Sequence, residues 1–315
     1  MLRDQEKIVN APPQLKPVDP VIAELQLAIA AAGCAQVDPS SLPIHEARDQ
    51  QNRYFGFVNR NPVATGPRLD VAMPMGSAEV AARIYQPTEL LSNDWVIFVR
   101  GAGWWAGDLD SHDNICRMTA QAMGCAVAAV DYRRSPEHTF PTQREDVVHA
   151  IRWLSAHRQE YGLGAGRIIL WGESAGASLC VLAAQRLEQE GADTLLSALV
   201  LFYGNLGGPR ENLRKQSKWV WQQYLGALAD SPPDEAVPLK AKVASFPPVW
   251  LGVGDADPLI EDSQAFSQRL REAGILHALH VYPGMPHGFT VFSNVSEVAG
   301  QALRDAVSFC QQQAS

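Results

Sequence analysis

The chain has 315 residues, of which 46% are hydrophobic and 19% charged, so it can build a large core and is not a disordered protein. Its net charge of −8 argues against nucleic acid or an anionic membrane as a partner. No apolar run is long enough to span a bilayer, and residues 1–7 lack the apolar core of a secretory signal. Five widely spaced cysteines without a C-x-x-C pair are typical of reduced thiols, which predicts a cytoplasmic protein.

The hydrophobic pattern predicts a helical N-terminal segment followed by alternating strands and helices. The first helix is expected over residues 21–32, and short β-rich runs begin near Leu69. Strands are predicted at residues 80–85, 95–99, 125–130, 167–171, 196–202, 249–253 and 277–282. Helices are predicted at residues 111–122, 142–157, 175–189, 263–273 and 295–311. Runs such as Trp95–Val99 are apolar on both faces, which indicates an α/β fold with a mostly parallel sheet of about eight strands.

Residues 204–246 interrupt this alternation. The segment is too long and too aromatic for an ordinary connection, so it predicts an inserted helical cap that leans over the strand ends. A peripheral helix packed on the flank of the sheet is the alternative. The segment combines aromatic and basic side chains: Arg210, Arg214, Lys215, Lys218, Trp219, Trp221 and Tyr224.

A nucleophile is predicted at Ser174, within the G-x-S-x-G segment Gly172-Glu173-Ser174-Ala175-Gly176. A buried strand precedes it and an Ala/Leu-rich helix follows, so the turn is tight and needs small neighbours. The N-terminus of this helix carries a partial positive charge, which favours a negative charge that develops beside the serine. A plain helix-capping serine is the alternative, but it explains the serine without the two glycines.

The acid and the base that such a serine needs are found after two later strands, in the expected order Ser, Asp, His. Asp257 is preferred as the acid because Pro258 restricts its backbone to an extended conformation, and Asp255 is the fallback. His287 is the predicted base, since it lies in a Pro/Gly loop while His277 and His280 lie within the strand.

Acyl transfer also needs backbone N–H donors for the oxyanion, one of which Ala175 supplies. Small residues follow the strand at 95–99, in the segment Arg100-Gly101-Ala102-Gly103-Trp104-Trp105. They allow the backbone to approach a substrate closely. By contrast, the glycines of residues 162–166 precede a strand, which is the wrong order for binding a dinucleotide.

With these motifs in order, the chain resembles the hormone-sensitive-lipase-like family of α/β hydrolases, and within it the bacterial acetyl esterase group, from about Val80 onward. The matching segments are residues 100–113, 131–141, 172–176, 257–259 and 282–287. The resemblance implies an α/β-hydrolase core at residues 66–203 and 247–315, with cap segments at 1–65 and 204–246. It also implies the triad Ser174, Asp257 and His287, with oxyanion donors Ala102, Gly103 and Ala175.

Two positions depart from the family's His-Gly-Gly-Gly loop: Arg100 stands for the histidine and Ala102 for the middle glycine. The backbone N–H of Ala102 can still donate to the oxyanion if a residue with a Cβ can adopt the φ and ψ angles needed there. Arg100 is expected in an ion pair or facing solvent, with a clamp for a substrate carboxylate as the alternative. Glu137 and His138 belong to a segment that is structural in the family, so no chemistry is assigned to them.

The predicted activity is hydrolysis of short-chain carboxylic esters through an acyl-enzyme, because large rings near the nucleophile leave room for a small acyl group. For each ring, packing between cap and sheet is the alternative. No metal or organic cofactor is expected. A lyase or acyltransferase, a lactone or amide hydrolase and a non-catalytic ligand binder are the competing functions, and a homodimer stays open. The residues predicted to bind substrate are Trp104, Trp105, Tyr203, Trp219 and Phe289.

Overall fold

The computed structural model describes residues 16–210 and 215–313. Its centre is an eight-stranded sheet in the order β1-β2-β4-β3-β5-β6-β7-β8. The pairs β1–β2 and β2–β4 are antiparallel, and every other neighbouring pair is parallel. The strands are β1 (Arg68–Met75), β2 (Ala78–Tyr85), β3 (Trp95–Val99), β4 (Ala126–Asp131), β5 (Ile168–Glu173), β6 (Leu196–Phe202), β7 (Val249–Gly254) and β8 (His277–Tyr282).

Eight α-helices accompany the sheet in the described part of the chain. They are α1 (Pro20–Ala31), α2 (Ile44–Val58), α3 (Asp113–Met123), α4 (Thr142–His157), α5 (Ala175–Gln189), α6 (Lys215–Leu225), α7 (Ile260–Glu272) and α8 (Glu297–Gln312). The predicted α/β fold with a mostly parallel sheet of about eight strands is therefore confirmed. None of these helices combines the length and hydropathy needed to cross a membrane.

Apolar side chains cover both faces of the sheet. All five residues of β3 are buried, and they alternate between two core clusters. Trp95 and Ile97 belong to the cluster that includes residues of α4 and α5, whereas Val96 and Phe98 belong to the one that includes residues of α3 and α8. Burial on both faces is the reason why these strands appear in the sequence as continuous apolar runs.

Two elements have no counterpart among the predicted segments. Strand β1 buries only Val71 and Met73 and contains Pro74, because it lies at the edge of the sheet and faces water along most of its length. Helix α2 buries only Ala47 and Phe55, so its apolar stripe is too thin to give a clear helical period. In both elements tertiary contacts, rather than local pattern, stabilise the structure.

Residues 204–246 carry α6 and three short 3₁₀ helices, which are Gly226–Leu228, Asp234–Ala236 and Pro238–Lys240. Trp221 and Tyr224 of α6 are buried against Trp104, which follows β3. The cap boundaries stay predictions. Residues 1–15 and 211–214, with Arg214, lie outside the described residues.

Candidate active site

The turn between β5 and α5 holds Ser174 in a conformation that side chains rarely adopt, with φ +51° and ψ −116°. Its N–H donates to Phe202 O at 2.9 Å, which ties the turn to the end of β6. A Cβ on Gly172 would lie 2.6 Å from Cys180 Sγ, and one on Gly176 only 2.0 Å from Val99 O. The two glycines are therefore required by packing, as the sequence motif indicates.

We expect Gly176→Ala to destabilise the protein by about 3 kcal/mol, because backbone atoms of β3 must shift to admit the new methyl group. Gly56→Ala is the matched control, since a Cβ at this helical position meets nothing within 4 Å. That change should be neutral or stabilise by up to about 1 kcal/mol. Urea denaturation of both variants measures the difference. Equal midpoints would contradict the packing argument.

Three predicted side chains meet at the carboxyl edge of the sheet. Ser174 Oγ lies 2.8 Å from His287 Nε2, and His287 Nδ1 lies 2.9 Å from Asp257 Oδ2. The Asp257 side chain is fully buried, and its other oxygen accepts from Leu259 N at 2.8 Å. The imidazole, 37% exposed, thus bridges the hydroxyl and a buried carboxylate.

The fallback acid, Asp255, has different partners. Its Oδ1 accepts from Gly284 N at 2.7 Å and its Oδ2 pairs with Lys16 Nζ at 3.1 Å. His277 is also engaged elsewhere, with Ile275 O and Ser267 Oγ. Of the alternatives in the sequence, the geometry brings Asp257 and His287 to Ser174.

The protonation of His287 is governed by opposing influences. Burial disfavours the imidazolium, but the charge of Asp257 and its hydrogen bond to the imidazole outweigh this effect. The pKa of His287 is therefore raised above its ordinary value of 6.5. An imidazole in this position is a stronger base for a proton from the adjacent hydroxyl.

The loop after β3 passes directly against the nucleophile. A Cβ on Gly101 would lie 3.3 Å from Ser174 Cβ. Ala102, Gly103 and Trp104 all have positive φ, of +68°, +62° and +63°. Within the described residues, the N–H groups of Ala102, Gly103 and Ala175 donate to no other backbone group. Ala102 thus adopts the backbone conformation that a glycine takes easily, and the three amides keep their hydrogen-bonding capacity.

Arg100 lies beneath this loop in an ion pair, which is one of the roles expected from the sequence. The residue is 2% exposed, and its Nη2 lies 2.8 Å from Asp131 Oδ1 and 2.9 Å from Tyr132 O. Its guanidinium also stacks 3.8 Å over the Tyr132 ring. Tyr132 Oη lies 3.1 Å from both Arg100 O and Gly101 O and can share its single proton between them. Arg100 therefore braces the loop, and neither the solvent-facing role nor the carboxylate clamp fits its position.

The N-terminal helix α2 contributes a second brace that the sequence did not reveal. Arg48 Nε donates to Trp105 O at 2.8 Å, and Nη2 donates to Ser135 O at 2.9 Å. The same guanidinium forms a double ion pair with Glu137. Glu137 is therefore structural, as its segment suggested. Arg48 has no local sequence signal, because its three partners are more than fifty residues away.

The residues predicted to bind substrate have different environments. Trp104, Tyr203 and Phe289 are buried in packing contacts, so the alternative interpretation of a structural ring fits them. Trp105 is 6% exposed and packs edge-on against Trp219, with ring centroids 5.3 Å apart. Trp219 lines an open cavity of about 410 Å³, together with Ser40, Lys215, Lys218 and Gln222.

Glu173, the variable position of the nucleophile motif, was not singled out from the sequence. Its side chain is buried and lies within hydrogen-bonding distance of the Tyr203 and Thr290 hydroxyls. Burial raises the pKa of its carboxyl group to about 7. The motif permits any residue at this position, so only the packing around it reveals the unusual acid.

Comparisons with known proteins identify the family to which the chain belongs. A family model described as the α/β hydrolase fold matches residues 96–291. The chain is 30% identical over 308 residues to an ethyl acetate hydrolase from Pseudomonas putida, covering 92% of this chain and 97% of that one. An acetyl esterase from Salmonella choleraesuis is 28% identical over 278 residues, with 83% and 86% covered. A hyperthermophilic esterase from the archaeon Pyrobaculum calidifontis superposes with a TM-score of 0.85 at 25% identity, covering 95% and 99%.

Proposed function

The chain belongs to the α/β-hydrolase family and is a carboxylic ester hydrolase, and from this premise we propose that Ser174, His287 and Asp257 cleave short-chain esters through an acyl-enzyme. The observation that carries the proposal is the pair of contacts made by His287. One ring nitrogen lies 2.8 Å from the Ser174 hydroxyl and the other 2.9 Å from the Asp257 carboxylate.

In the first half-reaction, Ser174 Oγ attacks the ester carbonyl carbon while its proton passes to His287 Nε2. The carbonyl oxygen becomes an oxyanion, which the N–H groups of Ala102, Gly103 and Ala175 stabilise. The tetrahedral intermediate then collapses. The bond to the alcohol oxygen breaks, that oxygen receives the proton from His287, and the acyl group stays on Ser174 as an ester.

In the second half-reaction, water takes the place of the alcohol. His287 Nε2 removes a proton from water while the water oxygen attacks the acyl carbon. The bond between the acyl carbon and Ser174 Oγ then breaks, Ser174 Oγ receives that proton from His287, and the carboxylic acid leaves. Asp257 holds the imidazole with Nε2 unprotonated at rest and stabilises the imidazolium that forms. Its complete burial strengthens this electrostatic contribution.

The cap supports a preference for small acyl groups. A Cβ on Gly103 would lie 3.1 Å from Val220 Cγ1 of α6, so this helix lies directly over the oxyanion loop. Little space remains at that point for a long acyl chain. We therefore propose acetyl and similarly short esters as the substrate class, in keeping with the relatives' names.

Active-site labelling tests the mechanism. A fluorophosphonate should inactivate the enzyme with one equivalent bound, and mass spectrometry of the digested protein should locate the adduct on Ser174. Nitrophenyl esters from acetyl to long acyl should lose turnover as the acyl chain lengthens. An adduct on another residue, or inactivation that leaves Ser174 free, would remove Ser174 from the mechanism. A rise in turnover with chain length would overturn the proposed substrate class.

The acid limb of the pH profile is expected above pH 6.5. His287 must be neutral to accept the proton of Ser174, and its pKa is raised, so activity should fall as the pH drops through a value higher than that of free histidine. Values of kcat/KM measured between pH 5 and pH 9 report the pKa in the free enzyme. A limb below pH 6.5 would contradict a raised pKa of His287 and show that burial outweighs the charge of Asp257.

A further inference from the structure

Three oxygen-bearing side chains close a ring directly behind the nucleophile. Glu173 Oε2 lies 3.0 Å from Tyr203 Oη, and Glu173 Oε1 lies 2.8 Å from Thr290 Oγ1. The third side of the ring joins Tyr203 Oη to Thr290 Oγ1 at 2.5 Å. All three residues are at most 1% exposed, so bulk water does not reach the ring.

Counting protons gives the ionisation state that fits this ring. A carboxylate can only accept hydrogen bonds, whereas each hydroxyl donates one proton. With Glu173 ionised, two protons must serve three contacts, and one contact would join two oxygens with no proton between them. A protonated Glu173 supplies the missing proton, so that each member donates once and accepts once.

Among the described residues, no salt bridge joins Glu173 to a lysine or an arginine. His112 Nε2 lies 3.9 Å from Glu173 Oε2, but burial and the charge of Arg100 lower the pKa of His112 to about 3. The remaining titratable groups that act on the ring are the Cys116 thiol, Asp257 and His287. Of these only His287 becomes a cation near neutral pH, and its partner is Asp257.

We propose that Glu173 is held as a neutral carboxylic acid in the resting enzyme up to about neutral pH and acts as a positioning residue for His287. The ring links the residue before the nucleophile to Thr290, in the 3₁₀ helix Phe289–Phe292 that begins two residues after His287. Tyr203, the third member, packs edge-on against the imidazole with ring centroids 5.0 Å apart. A neutral Glu173 therefore orders the loop of the base without adding a second negative charge beside it. The kinetic part of this inference rests on the proposed function.

Infrared spectroscopy tests the protonation state without reference to activity. Protein labelled with ¹³C in the glutamate side chains should show the C=O stretch of a buried carboxylic acid, lost as the pH rises through about 7. The band should be absent from Glu173→Gln and present in Ser174→Ala. Absence of the band from the native enzyme at pH 6, or its persistence in Glu173→Gln, would overturn the proposal. The two proposals can fail separately. If the carboxylic acid band is present but the fluorophosphonate does not label Ser174, this inference holds and the proposed mechanism fails.

Rescue by the isosteric amide tests the positioning role. Glutamine can donate an N–H to one hydroxyl and accept from the other, so Glu173→Gln preserves the ring, whereas Glu173→Ala opens it. We expect Glu173→Ala to lower kcat by about tenfold or more, and Glu173→Gln to recover most of that loss. Thr290→Val, which removes one hydroxyl, should resemble Glu173→Ala. Equal losses in the amide and alanine variants, or full activity in Thr290→Val, would overturn the positioning role.

Discussion

Ser174→Ala is expected to lower kcat for a short-chain ester by about 10⁶-fold. Without Oγ there is no acyl-enzyme, and His287 has no hydroxyl to deprotonate at 2.8 Å. The residual rate would come from the oxyanion donors and from substrate binding alone. Steady-state hydrolysis of nitrophenyl acetate, together with the initial burst of nitrophenol, measures both effects.

The fold should survive this change, because the Ser174 side chain has no other hydrogen-bond partner among the described residues. Circular dichroism and the thermal midpoint check that expectation. Ser155→Ala is the matched control, since the Ser155 hydroxyl donates to Ile151 O, one turn earlier in α4. It should keep native turnover. Equal rates in native protein and Ser174→Ala would exclude Ser174 as the nucleophile.

Asp257→Asn is expected to lower kcat/KM by about 10⁴-fold. Asparagine occupies the same space, but its amide can donate to His287 Nδ1 and so favour the tautomer that carries a proton on Nε2. Such an imidazole cannot accept the proton of Ser174. The imidazolium would also lose the buried charge that stabilises it at 2.9 Å.

Asp255→Asn is the matched control for this prediction. It removes a carboxylate from the same loop, but one that bonds Gly284 and Lys16 rather than the imidazole. We expect less than a tenfold change in kcat/KM, because this substitution removes only the partly exposed ion pair with Lys16. Kinetics of both variants at a pH above the acid limb separate the two carboxylates. A larger loss in Asp255→Asn than in Asp257→Asn would reassign the acid.

Several features of the fold and the candidate site follow from local sequence. Continuous apolar runs such as Trp95–Val99 predict buried parallel strands, because each residue must be apolar when helices cover both faces. The glycines around Ser174 predict the tight turn, since any Cβ there meets backbone or sulfur. Ser174, Asp257 and His287 each come after a predicted strand. Because parallel strands end at the same edge of a sheet, their positions in the sequence predict that the three side chains lie close together. These signals act over a few residues, which is why they can be identified without coordinates.

The sequence favoured Asp257 over Asp255 through Pro258, but both follow the same strand, and only the tertiary structure brings the Asp257 carboxylate to His287. The burial of Trp104 and the ion pair of Arg100 also depended on the tertiary structure, because their partners come from other elements. The ring of Glu173 and Thr290 joins residues 117 positions apart. The sequence alone determined which chemical groups the chain carries and the strands that they follow. Their distances, burial and protonation were decided by packing, since each depends on side chains that local patterns do not bring together.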